Sequence, residues 1–246
     1  MFLRFRPLFY SLVFLVGLET IVLWRSHVGI IILSLFFFSI YQGKSVGKKW
    51  KFSVLPALFT LSSSALLYLI TISYEQQTFI FLTALMYYLS LFGAYRLNEY
   101  ALDQTARGMN MAATASTIFF TYTAAYGLYL NFLVPLWILM LVYLLATLFV
   151  SYQHFSIIKE GDRQTVWIYS FLLSLAMVEI IWTINFWPFG YLTAGTIALI
   201  LYYVLWDLIQ SFFLNLLSQK RVVANMIFFS VVIALVLLSS KWIPVI

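Results

Sequence analysis

Apolar residues in this chain run in long blocks, and the polar residues gather in short breaks between them. Neither the two-residue alternation of a half-buried strand nor the narrow apolar stripe of a soluble helix accounts for such blocks. A helix needs about 20 mainly apolar residues to cross a bilayer. Nine segments approach that length: residues 7–24, 28–42, 53–73, 78–95, 109–130, 132–153, 165–185, 188–217 and 222–242. The pattern predicts an all-α, polytopic bundle of about nine membrane-spanning helices forming a single domain over residues 1–246. The second segment is the shortest. The eighth is the longest, so it is expected to tilt or to extend past the membrane.

The charges between the blocks set an orientation. With the N-terminus in the cytoplasm and strict alternation, the inner segments carry Arg4, Arg6, Lys44, Lys48, Lys49, Lys51, Arg96, Arg107, Lys159, Arg163, Lys220 and Arg221. Of the 14 basic residues, only Arg25 and Lys241 then fall outside. This is the asymmetry that the positive-inside rule describes. Omitting the second segment would put the four-lysine loop and the N-terminal arginines on opposite sides. The charge pattern thus favours nine spans, N-terminus in and C-terminus out. Segment 7–24 follows a basic start but has no small-residue cleavage site after it and holds Glu19, so it reads as an uncleaved span.

Composition agrees. Hydrophobic residues make up 64% of the chain and charged residues 9%, against about 45–50% and 25% in soluble domains. The solvent for most of the chain is lipid. The net charge of +6 is spread over loops that face one side, so it signals orientation and not nucleic-acid binding. The absence of Cys excludes disulfides, thiolate metal sites and Cys nucleophiles. With two His, a His-rich metal centre is not expected either, and no cofactor is. There is no phosphate-loop, dinucleotide, zinc-protease or nucleophile-elbow motif. Gly43-Lys44-Ser45 resembles the end of a phosphate loop, but Phe38 stands where its first glycine belongs.

The candidate chemistry is a small set of polar residues at membrane depth. Glu19 and Glu179 lie about 12 and 14 residues into outward-running helices, roughly 18–21 Å above the inner surface, with Asn185 near that level. Two carboxyls at one depth could share a cavity and a proton, the equipment of a proton-coupled carrier, a cation site or an acid/base pair. Asp207 falls near the inner boundary of the eighth segment. Thr193, Thr196, Tyr203, Gln210 and Ser211 accompany it on one side of the helical wheel, as an inner vestibule or as hydrogen bonding between helices. The fifth segment is rich in small and hydroxyl residues, with Ala112-xxx-Ser116 and Thr123-xxx-Gly127 suited to close helix packing. The turn from Asn185 to Gly190 is aromatic and should set Pro188 at a helix start. The mixed-charge stretches around Arg96–Arg107 and Lys159–Arg163 read as solvated helix caps.

These features point to a multi-pass protein of the cytoplasmic (inner) membrane whose first partner is the bilayer itself. The leading expectation is a small-solute or ion transporter with Glu19, Glu179, Asp207, Tyr203, Thr196, Gln210 and Asn185 as its binding residues. The rivals are a non-enzymatic subunit or scaffold with membrane-protein partners, and an intramembrane enzyme acting on a lipid. Nucleic acid is not an expected partner.

Overall fold

A computed structural model describes residues 5–100, 102–132, 134–159 and 161–240, and the side chain of Arg221 is outside that description. Arg4, Glu160 and Lys241 lie outside the described residues. The described residues are mainly helical, with no strand among them. They form α1 (Arg6–Leu23), α2 (Val28–Gly47), α3 (Val54–Leu69), α4 (Ser73–Glu99), α5 (Gln104–Phe132), α6 (Leu136–Ile158), α7 (Arg163–Ile184), α8 (Tyr191–Phe213) and α9 (Gln219–Ser239). One helix falls on each apolar block. Eight of them are long and apolar enough to cross a membrane. The remaining one is α5, the longest at 29 residues. Its Thr, Ser, Asn, Tyr and Gly content lowers its hydropathy while leaving its length ample.

Several boundaries differ from expectation for local reasons. The second helix runs on to Gly47 and ends on Lys48 in the left-handed region, φ 55°. The eighth is not overlong. Gly190 precedes it in extended geometry and Leu214 closes it, so it begins three residues after Pro188. The sixth starts after Pro135 and continues to Ile158, because nothing in Gln153-His154-Phe155-Ser156 breaks a helix. Asp162 caps α7 by accepting the backbone N–H of Thr165 at 3.1 Å, and Lys159 bridges to it at 3.0 Å. Arg96 and Asp103 pair at 2.6 Å between α4 and α5. Both mixed-charge stretches therefore close on themselves as helix caps.

The chain divides into two compact units, Met1–Thr121 and Tyr122–Ile246. In the first, α1, α2, α3 and α4 pack on one another in every pairing. Their common core is Phe14, Leu18, Ile21, Phe59, Leu67, Ile80, Tyr87 and Leu91, with the Phe14 and Tyr87 rings stacked at 4.2 Å. In the second, α6 and α7 form the most extensive pair, α8 packs on both, and α9 lies against α8. The Tyr122 and Tyr143 rings stack at 4.0 Å in its interior. Large apolar side chains such as Ile30, Leu33 and Phe37 of α2 or Phe171, Leu172 and Leu175 of α7 point outward. Several of the polar side chains point inward. That inversion is what a bilayer imposes, since lipid rewards an apolar exterior and leaves buried polar groups to pair internally.

Candidate functional site

In the first unit, α4 carries a polar seam. Gln76, Thr83, Tyr87 and Ser90 recur at spacings of seven, four and three, which keeps them within about 60° on the helix. All four are buried, none above 4% exposure. The seam spans about 21 Å of a ~30 Å hydrocarbon core. Facing it at Tyr87 are Ser39 and Gln42 of α2 and Thr60 of α3; these, with Ser63 and Ser64 of α3, are likewise buried. The Tyr87 hydroxyl donates to Gln42 Oε1, and the hydroxyls of Thr60 and Ser39 reach it too. Thr60 and Ser63 donate to carbonyls of their own helix at 2.9 and 2.7 Å. Gln42 Nε2, Ser64 Oγ, Thr83 Oγ1 and Ser90 Oγ are buried without a partner among the described residues. Buried polar atoms of this kind are the ones that ordered water or a polar solute satisfies. Next to Gln76, at one end of the seam, Gln77 Nε2 donates to Glu19 Oε2 at 3.2 Å. Glu19 is half-buried.

The second unit has a seam of its own. On α6, Tyr143, Thr147, Ser151 and His154 share a face by the same periodicity and are buried. Tyr122 and Thr147 hydroxyls meet at 2.6 Å, Ser151 and Tyr202 at 3.1 Å, and His154 Nε2 and Gln210 Oε1 at 3.2 Å. The His154 ring lies 4.7 Å from that of Trp206. Asp207 is buried at 8% exposure and accepts from Asn225 Nδ2 of α9 at 2.8 Å. Tyr203 packs on Phe229 of α9, rings 5.4 Å apart. Trp206 Nε1 and Ser211 Oγ are buried without partners among the described residues. The structure therefore gathers Asp207, Gln210 and Tyr203 at one end of this unit. Thr196 stands apart, its hydroxyl donating to Leu192 O at 2.8 Å.

Asn185 lies at the other end of the same unit, at the C-terminus of α7. It lines a cleft of about 680 Å³ with Tyr126, Tyr129, Trp187, Tyr191 and Ser240. Glu179 is exposed on α7, among the outward-facing Leu172, Leu175, Trp182 and Phe186, and among the described residues its carboxylate has no partner.

Three participants escape the sequence reading. His154 falls in a loop when the sixth segment is ended at 153. Asn225 is a lone amide in an apolar run. The Gln76–Ser90 seam is hidden because its members are separated by apolar residues, although its spacing is visible once α4 is drawn as a helix. No group of three or more His, Asp or Glu among the described residues could hold a metal.

A family profile matches residues 7–239, nearly the whole helical region. The chain belongs to the family described as a protein of unknown function, DUF5656. No curated protein and no solved structure matches it. The matched region takes in α1 to α9 together, so both seams belong to the family's shared span.

Proposed function

We propose that the protein is a small-solute or ion transporter of the cytoplasmic membrane, with nine spans, the N-terminus inside and the C-terminus outside. The observation that supports this reading best is the buried seam on α4, where Gln42 Nε2, Thr83 Oγ1 and Ser90 Oγ have no partner among the described residues, over about 10 Å of helix length. Purely structural hydrogen bonding between helices would pair such groups, because each unpaired one costs about 1–3 kcal/mol. A pathway leaves them open to a passing species. Glu19, hydrogen-bonded beside the seam, is the protonatable residue at its outer end. Asp207 with His154 and Gln210 is the corresponding inner set of the second unit, and Glu179 and Asn185 are outer residues of that unit.

The chain has no Cys, so single cysteines report cleanly. Thr83→Cys and Ser90→Cys in the native membrane should react with a small, membrane-impermeant thiosulfonate at least tenfold faster than lipid-facing Leu82→Cys. Glu19→Gln should slow that reaction or abolish uptake-linked pH changes without loss of folded protein. Equal, slow labelling at all three positions would show a dry seam and end the transport reading.

A second reading, a subunit of a membrane complex, draws on Glu179. A carboxylate at membrane depth facing outward without a partner costs several kcal/mol in hydrocarbon, which a neighbouring protein's donor would offset. Purification in mild detergent distinguishes the two. A fixed stoichiometric partner, lost in Glu179→Leu, supports the subunit.

A further inference from the structure

The connection between α2 and α3 is the most basic stretch of the protein. Lys44, Lys48, Lys49 and Lys51 fall within eight residues, and no acidic residue occurs between Glu19 and Glu75. The segment is built to be rigid. A Cβ at Gly43 would sit 2.7 Å from Ser53 Cα, and one at Gly47 would sit 2.5 Å from Phe52 Cβ, so both glycines admit the short 3₁₀ turn Trp50–Ser53 against α2. Phe52 is thereby buried to 2% exposure. Lys48 turns the chain back, its N–H bonding to Lys44 O at 2.9 Å. Trp50 remains 64% exposed, with Lys44 Nζ 3.9 Å from its ring centre. Lys44, Lys48 and Lys49 are exposed beside it.

Both flanking helices are long and apolar enough to cross the membrane, so their connection emerges at the head-group layer, where Trp anchors and lysines meet lipid phosphates. We infer that this loop is a binding site for anionic phospholipid head groups of the surrounding bilayer. The lysines are held on one short platform whose own sequence contributes no carboxylate, and its fixed geometry lowers the ordering cost of binding. The inference is independent of the transport reading, since it concerns the loop alone.

The test uses the full-length protein purified in a mild detergent and equilibrated with an equimolar mixture of phosphatidylglycerol and phosphatidylcholine, with retained lipid identified by native mass spectrometry. Wild type should retain phosphatidylglycerol preferentially. Each lysine near an anionic surface contributes roughly fivefold, so Lys48→Gln/Lys49→Gln should lose about twentyfold of that preference, while Lys48→Arg/Lys49→Arg should keep it. Thermal unfolding in phosphatidylcholine checks that the variants are folded. Where the Gln variant does not fold, the wild-type preference in low and high salt decides, because a charge-based preference falls with salt. Equal retention of the two lipids, an unchanged preference in a folded Gln variant, or a preference indifferent to salt would each overturn the proposal. So would binding of a polyglutamate peptide without preference for phosphatidylglycerol, which would assign the loop to an acidic protein.

Discussion

Asp207 is held by a neighbour on another helix. Asn225 Nδ2 of α9 donates to its Oδ2 at 2.8 Å. Asp207→Asn keeps a hydrogen-bonding group of the same shape, so thermal unfolding in detergent should change little. Asp207→Leu strands the Asn225 amide and should cost about 1–3 kcal/mol. Asn225→Leu should cost a similar amount from the other side. If Asp207→Leu unfolds at the wild-type temperature, the pair does not hold α9. A second residue-scale effect sits outside the membrane. Hydrogen bonds from Thr165 and then from Lys159 lower the Asp162 carboxyl from its ordinary 3.8 to about 2. A carboxyl depressed in the folded state contributes stability that is complete above 3.8 and is lost as pH falls through about 2. Melting temperature should therefore decline less steeply in Asp162→Asn than in wild type over that acid range. Parallel curves would remove Asp162 from the account.

At the scale of helices, close approach decides which glycines matter. A Cβ on Gly195 of α8 would lie 2.1 Å from Thr123 Oγ1 and 3.0 Å from Thr123 Cα. The hydroxyl can rotate away, but the backbone of α5 cannot. Gly195→Ala should therefore destabilise by roughly 1–3 kcal/mol, and Gly43→Ala, which meets backbone atoms of Phe52 and Ser53, by at least as much. Gly108 has nothing within 4 Å of an added Cβ, so Gly108→Ala should be neutral or slightly stabilising through helix propensity. Equal melting temperatures for all three would mean that the helices separate more easily than their packing implies. The contrast also marks what the sequence makes legible. Helix number and rough position follow from apolar blocks, because a bilayer demands a near-continuous run. Thr123 is visible as a small residue at packing spacing, whereas its partner Gly195 is a tertiary fact. Helix ends follow from chemistry a few residues wide. The absence of a breaker after Gln153 carries α6 to Ile158 and draws His154 into the span. The candidate carboxylates are easy to see as charges in apolar runs, but their surroundings are not. Glu19 and Glu179 look alike in sequence, while one accepts from Gln77 and the other faces outward.

For the whole molecule, every assignment of depth rests on how the chain is threaded through the bilayer. Alternation from a cytoplasmic N-terminus puts Ser26 and Gln77 outside and Ser45 and Gln104 inside. The first unit supplies an internal constraint, because Glu19 near the end of α1 bonds Gln77 near the start of α4. Those two helix ends must share a side, as the two intervening crossings of α2 and α3 require. Ser26 and Gln77 are exposed, as are Lys44, Lys48 and Lys49 beside Ser45 and, on the next inner loop, Gln104. Single cysteines at the four positions, free of background because the chain has none, should divide cleanly. Ser26→Cys and Gln77→Cys should label with an impermeant maleimide on intact cells, and Ser45→Cys and Gln104→Cys only after permeabilisation. A complete reversal would leave the seam intact and invert the ends of the proposed pathway, placing the lysine platform on the outer leaflet. Labelling of Ser26→Cys and Gln77→Cys from opposite sides is incompatible with the Glu19–Gln77 bond. Labelling of Ser45→Cys together with Ser26→Cys from outside would mean that α2 does not cross, although its polar face, Ser39 and Gln42, is buried and its apolar face is turned outward. The seam would then lose one of its three walls, and the transport reading would lose the geometry that supports it.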